Sequence, residues 1–255
     1  MARSTLSIAL VLLVLLLLPP QAAAPAAAAR QVRWWTNFES AGVIAQLETI
    51  AQHPRSITGI YTYIGAGHGD SGAFSFGHSP STDNNYTWIR EAVRRYTALG
   101  LTVTPAVSLT NHSVMSGTAL AHVSEAAAFA KAANVSGLML DFEPATSEVP
   151  WVLAYAKYVK AFTAALHAVG LEAEMCVSDW GILDGHFLKN GEGYGVFAKT
   201  GVDTMMSMAG TYYGTNVSKN EYNVELELKQ DVALSQLAAG VVCAQHMFEQ
   251  PARHF

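Results

Sequence analysis

Basic residues, cysteines and long apolar runs are all scarce in this chain, and each scarcity closes a class of function. Only 15 Lys and Arg stand against 20 Asp and Glu in 255 residues, a net charge of -5, with no basic run anywhere. That leaves no electrostatic footprint for nucleic acid or for an anionic membrane surface. Two cysteines exclude a disulfide-built scaffold. Without a Cys-x-x-Cys pair or a His-Glu-x-x-His helix, no zinc module is expected either. No Gly-rich phosphate loop follows the first strand-like run, where Thr36-Asn37-Phe38-Glu39 stands instead, so no dinucleotide fingerprint is present. No cofactor and no metal are expected. The apolar block from Ile8 to Leu18 ends at Pro19, short of the roughly 18 residues that a membrane anchor needs.

What is present is ample apolar material: 51% hydrophobic, 10% aromatic and 14% charged residues, enough for one large core. Arg3, the Ile8 to Leu18 block, Pro19-Pro20 and the alanines through Ala29 form the three parts of a secretory signal peptide. Residues 1–29 are therefore read as a cleaved leader and residues 30–255 as one domain, with no membrane contact after cleavage. The expected location is extracellular or the lumen of a secretory or lysosome-like compartment. Four glycosylation sequons, at Asn85, Asn111, Asn134 and Asn216, agree with secretion. Cys176 and Cys243 could pair there, but both lie in apolar strand-like runs and are read as buried free thiols. Nothing in the sequence fixes the oligomeric state.

Short β-branched and aromatic runs alternate with longer Ala-rich stretches of helical period. Strands are expected at 32–38, 57–64, 102–109, 137–142, 172–177, 203–208 and 240–244. Helices are expected at 43–52, 86–99, 118–133, 149–169, 183–199 (the weakest) and 224–237. Gly100, Gly170 and Gly240 each follow an expected last helical turn, where a left-handed cap is needed. Repeated β-then-α units imply parallel strands with helical crossovers. The fold class is α/β, of the (β/α)8 TIM-barrel type, with an eighth β/α unit lacking after the seventh strand. An open doubly wound sheet is the alternative. The missing unit predicts an exposed edge between the first and seventh strands.

The sharpest chemical signal is the run Ser136-Gly137-Leu138-Met139-Leu140-Asp141-Phe142-Glu143-Pro144. Alternation on a strand puts Leu138, Leu140 and Phe142 on one face and Gly137, Met139, Asp141 and Glu143 on the other. The second set then points into the barrel and ends in two carboxylates at the strand's carboxyl end, where barrel enzymes build their sites. A single carboxylate after a strand often only caps the next helix. Two of them, about 6 to 7 Å apart between Cα atoms, cannot both ionise freely in a desolvated mouth, which yields a general acid near neutral pH.

This run resembles the signature on the fourth barrel strand of the family 18 glycoside hydrolases, the chitinases and their relatives. Gly137 matches its glycine, Asp141 its last aspartate and Glu143 its proton donor, while Ser136 and Met139 stand at the two other aspartate positions. The resemblance implies that Glu143 protonates the leaving oxygen and that Asp141 orients the substrate's acetamido group for attack on the anomeric carbon. It implies N-acetylhexosamine-containing oligosaccharides as substrates. A weaker match is Met208-Ala209-Gly210-Thr211-Tyr212-Tyr213-Gly214, similar to the family's sixth-strand run at Met208, Tyr212 and Gly214 but with Gly210 and Thr211 in place of a tyrosine and an aspartate. Val107-Ser108-Leu109-Thr110 replaces the family's Ser-x-Gly-Gly.

Two other readings remain open on the residues. Glu143 before Pro144 is also similar to the acid/base of two-glutamate retaining glycosidases, with Glu249 as the carboxylate after the seventh strand. Met139 and Gly210 equally fit a catalytically impaired carbohydrate-binding barrel. Pyranose faces stack on flat rings, and Trp34, Trp35, Tyr61, Tyr63, Trp180, Tyr212 and Tyr213 fall on or just after strands, with Trp151 at a helix start. Trp35, Tyr63, Asp179, Trp180, Met208, Tyr212 and Tyr213 are the expected substrate-binding residues. Gly65-Ala66-Gly67-His68-Gly69-Asp70 reads as a loop at the same mouth, with His68 as a binding residue.

Overall fold

The computed structural model describes residues 33–37, 49, 52, 57–76, 87–142, 149–177, 193–208 and 237–241, all within the compact unit Gln31–Phe255. The strands are β1 (Arg33–Asn37), β2 (Gly59–His68), β3 (Phe74–Phe76), β4 (Thr102–Leu109), β5 (Gly137–Leu140), β6 (Glu172–Val177), β7 (Thr204–Met208) and β8 (Leu237–Val241). The helices are α1 (Thr87–Ala98), α2 (Asn111–Met115), α3 (Thr118–Ala121), α4 (Val123–Ala133), α5 (Val149–His167) and α6 (Gly193–Ala198). One sheet runs β1-β2-β4-β5-β6-β7-β8, every neighbouring pair on that path parallel, and β3 folds back antiparallel on β2. Parallel strands in sequence order with helical crossovers make a fold of TIM-barrel type. Among the described residues no ladder joins β8 to β1.

Periodicity explains why the helices sit where they do. On α1, Ile89, Ala92, Val93 and Tyr96 share one buried stripe at helical spacing, while Glu91 binds Arg94 (2.7 Å) and Arg95 (2.9 Å) on the wet face. On α5 the buried set is Val152, Tyr155, Val159, Phe162 and Leu166. These stripes meet Ile60, Val103, Val107, Leu138, Leu140, Ala173, Met175 and Met205 from the outer face of the sheet in one core. The inner face forms a second, smaller cluster of Tyr61, Ala106, Met139, Cys176 and Met206. Strands buried on both faces are what helices outside and a filled lumen require.

Several expectations need correction. The run expected as a strand at 57–64 continues to His68, because Gly65 takes a positive φ of 71° and the register against β4 shifts between Tyr63 and Ala66. The chain absorbs a bulge there and pairing resumes, so Gly65 to His68 is strand and not loop. The helix expected at 118–133 is two: Gly117 caps α3 in the left-handed region (φ 75°), and His122 (φ -113°, ψ 8°) separates α3 from α4. The strand β3 and the helix α2, capped by Thr110 accepting from Ser113 N at 3.2 Å, were not expected. Gly100 and Gly170 do take positive φ (79° and 77°), but Gly240 lies inside β8 and caps no helix. The last strand starts at Leu237, three residues before the expected 240. Of the weakest helix only α6 is described, and of the first only Thr49 and Gln52, both helical. The helix at 224–237 lies outside the described residues up to Leu237.

Candidate functional site

The site begins at the carboxyl end of β5. Gly137 opens that strand opposite Glu172 of β6. A Cβ at Gly137 would fall 3.0 Å from both the carbonyl carbon and the Cβ of Glu172, and closer still to its carbonyl oxygen. Only glycine lets β5 and β6 approach this closely. Alternation then follows as the sequence requires: Leu138, Leu140 and Phe142 pack in the helix-side core, and Met139 in the luminal cluster.

Asp141 follows directly, its N–H donating to the Val107 carbonyl at 3.0 Å and so extending the β4 ladder by one bond. Burial raises its carboxyl above the ordinary aspartate range. Phe142 stacks on Trp151 (centroids 5.4 Å, planes at 27°) and meets Tyr155 edge-on at 5.1 Å. These contacts pin the chain on the far side of Asp141 to the first turns of α5. Glu143 is the next residue and lies outside the described residues, as do Asp179, Trp180, Tyr212, Tyr213 and Glu249. Trp35 pairs in register with Tyr61, Tyr63 pairs with Ala106, and Met208 ends β7. Their side chains also lie outside the described set. Cys176 is fully buried on β6, its Sγ donating to Met139 Sδ at 3.6 Å, and Cys243 lies outside the described residues.

Three aromatic or imidazole candidates are corrected. Tyr61 is 5% exposed and fills the lumen, and Trp151 is 3% exposed against Phe142, so neither offers a face to a sugar. His68 is 2% exposed. After the Gly65 bulge it shares the side of Ala66, toward the helices, where it lies edge-on to Phe74 (5.2 Å) and Tyr158 (5.5 Å) and its Nδ1 donates to the Gly72 carbonyl at 2.5 Å. It is a core histidine. Among the described residues no group of three His, Cys, Asp or Glu could hold a metal ion.

Burial lowers the His68 pKa from 6.5, with the Gly72 bond and the Glu125 charge opposing. The folded value therefore lies below the unfolded one, and the native state holds fewer protons. Its stabilising contribution is complete above the unfolded pKa and is lost as pH falls through the lowered folded value. The thermal midpoint of the wild type should drop between about pH 7 and about pH 5. His68→Gln should flatten that slope, as scanning calorimetry at several pH values would read.

Sequence reasoning missed Glu174. It is fully buried on β6, in register with Met139 and Thr204. Tyr61 Oη donates to one carboxylate oxygen, and Thr104 Oγ1 donates to the other at 3.4 Å. The available signal was parity: Glu174 shares the face of Cys176, the luminal one. A surface recess of about 370 Å³ beside Arg90, Arg94, Thr97, Ala98 and Asn134 lies at helix C-terminal ends, the face opposite to strand carboxyl ends, and takes no part in the site.

With the strand order and the placement of Asp141 fixed, the chain can be set beside solved structures. A chitinase from Chromobacterium violaceum superposes with a TM-score of 0.61 at 16% identity over 83% of this chain and 68% of its own. A class V chitinase from Pseudomonas fluorescens gives 0.64 at 17% identity over 84% and 68%. A fungal endo-beta-N-acetylglucosaminidase from glycosyl hydrolase family 18 gives 0.58 at 9% identity over 82% and 76%. The fold is that of the family 18 chitinases. No family model matches the sequence, and no curated protein matches it. Within this chitinase-like fold, Asp141 stands at the carboxyl end of a central parallel strand, the face on which barrel enzymes place their chemistry.

Proposed function

We propose that the chain is a secreted glycoside hydrolase of the chitinase type, acting on N-acetylhexosamine-containing oligosaccharides. Glu143 is the general acid that protonates the leaving oxygen. The Asp141 carboxylate accepts the acetamido N–H and turns its oxygen toward the anomeric carbon. Trp35, Tyr63, Asp179, Trp180, Met208, Tyr212 and Tyr213 line the sugar. The observation that carries the reading is the placement of Asp141, part-buried just past the end of β5 with its N–H held by the Val107 carbonyl at 3.0 Å, one strand repeat before Glu143. Support comes from a structural neighbour, an Ostrinia furnacalis chitinase domain, solved with a bound N-acetylchitooligosaccharide. Secretion rests on the leader at residues 1–29, and among the described residues no helix is long and apolar enough to cross a membrane.

The test is hydrolysis of paired fluorogenic glycosides with and without the N-acetyl group. Activity should be confined to the N-acetylated partner, and Asp141→Asn should lower it by about 10- to 100-fold. Because the raised Asp141 must ionise to accept the N–H, the acid limb of the rate profile should lie above the ordinary aspartate range. Equal rates on both glycosides would favour the two-glutamate mechanism. One observation favours a binding protein: Met139 makes the lumen beneath Asp141 apolar, taking a 3.6 Å contact from Cys176 Sγ. Sugar binding without turnover, unaffected by Asp141→Asn, would support that reading.

A further inference from the structure

One of the four sequons, Asn134-Val135-Ser136, meets a recess on the surface. We propose that Asn134 is a modification site: it carries an N-linked glycan whose first N-acetylglucosamine seats in the recess of about 370 Å³ beside α1. This rests on the reading of residues 1–29 as a leader, since the modification belongs to the secretory lumen. The step joins Asn134 Nδ2 to the anomeric carbon of a lipid-diphosphate-linked oligosaccharide. The bond from that carbon to the diphosphate oxygen breaks, the diphosphate leaves with the electron pair, and one amide proton passes to base.

Three helix ends close in the same way. Past the last turn a residue takes a positive φ, and paired bonds run back into the helix: Gly100 N to Thr97 and Leu101 N to Tyr96, Gly170 N to His167 and Leu171 N to Leu166, Asn134 N to Lys131 and Val135 N to Ala130. Glycine holds the first two at no steric cost. Asn134 (φ 58°, ψ 40°) is the only non-glycine residue with a positive φ among the described residues. A glycine would close this end as well, and what asparagine adds is an exposed side-chain amide two residues before Ser136. Four exposed residues of α1, Arg90, Arg94, Thr97 and Ala98, recur at helical spacing and line the recess with Asn134. Arg90 Nε donates to the Ala132 carbonyl at 2.6 Å, bridging α1 to the last turn of α4, and Arg94 grips Glu91 through two bonds of 2.7 Å. Held in this way, the arginine stems with Thr97 and Ala98 offer the apolar wall that one face of a pyranose needs, and the guanidinium edges donate to its hydroxyls. The first sugar is bonded to Nδ2 itself, so it reaches the recess without a search and weak packing suffices to hold it there. In the fold, Ser136 Oγ accepts from Val103 N at 3.2 Å, so the hydroxyl of the acceptor motif is free only before β5 pairs, and modification precedes folding. The recess lies on the face opposite the strand carboxyl ends, so this glycan leaves the mouth open.

The test expresses the full chain in a eukaryotic secretory host, once with its own leader and once behind a leader of known export. Peptide mass spectrometry should find Asn134 glycosylated in most molecules, and an unmodified Asn134 in the exported, folded protein overturns the site. Seating is read from release of the glycan by an amidase that cuts at the asparagine. With the recess filled by Ala98→Leu, release at Asn134 from the native protein should be about tenfold faster than in the wild type, and after denaturation the two should be released alike. Thr97→Leu fills the same wall and serves if Ala98→Leu fails to fold. Equal native rates, or a difference that persists after denaturation, overturn the seating. A chain that stays in the cell with its own leader, yet carries the glycan behind the other one, overturns the secretion reading and leaves the Asn134 site standing.

Discussion

Replacing Glu143 by Gln should cut hydrolysis of an N-acetylated glycoside with a poor leaving group by about 100- to 10,000-fold, while thermal unfolding stays where it is. The amide keeps the volume of the side chain and its capacity to accept a hydrogen bond, but it has no proton to give. The loss should therefore scale with how badly the leaving oxygen needs protonation. An activated phenol, which departs as an anion, should be hydrolysed much closer to the wild-type rate. That dependence on leaving group separates a missing acid from general damage to the site, since damage would slow both substrates alike. A uniform loss across leaving groups would remove Glu143 from the role of acid.

Gly137→Ala should destabilise the protein by about 3 kcal/mol, a large fraction of the stability of an ordinary domain. The added methyl would meet backbone and Cβ atoms of Glu172, not the end of a flexible side chain. Those atoms are held by the β5–β6 ladder and by the Glu172 N–H donating to the Ser136 carbonyl at 3.2 Å. The two strands can accommodate it only by separating, which carries Met139 and Asp141 with them. Urea unfolding should show a lower midpoint with an unchanged slope, and activity should fall in the molecules that remain folded. A neutral substitution would mean that the β5–β6 spacing is looser than this packing requires.

The placement of Asp141 was legible in the sequence because its neighbours are unambiguous. Leu138, Leu140 and Phe142 can only suit an apolar layer, so the alternate residues are assigned by elimination. Glu174 was not legible, because a glutamate between Ala173 and Met175 looks like the wet face of a half-buried strand. Only the closure of neighbouring strands around a lumen makes that face an interior one. At β2, the glycines after Ile64 carry the composition of a loop, and the sequence gives no sign that Gly65 is a bulge followed by three more paired residues. His122 divides α3 from α4 without any proline or glycine at the division itself, so helical period ran straight through it. Gly240 misled for the opposite reason: a glycine after an Ala-rich stretch is a common helix stop, and here the ladder with β7 reaches back to Leu237.

The contact between Cys176 and Met139 sits in a luminal cluster with Tyr61, Ala106 and Met206, and it gives the molecule an internal clock. A thiol packed this way is inert toward an alkylating reagent until the barrel opens. If reclosing outpaces modification, the labelling rate of the peptide containing Cys176 is proportional to the fraction of molecules that are open at any moment. Each tenfold change in that rate then reads about 1.4 kcal/mol of opening free energy. Labelling under native conditions, without denaturant, would thus rank substitutions along β5 and β6 by how firmly the floor of the site is held.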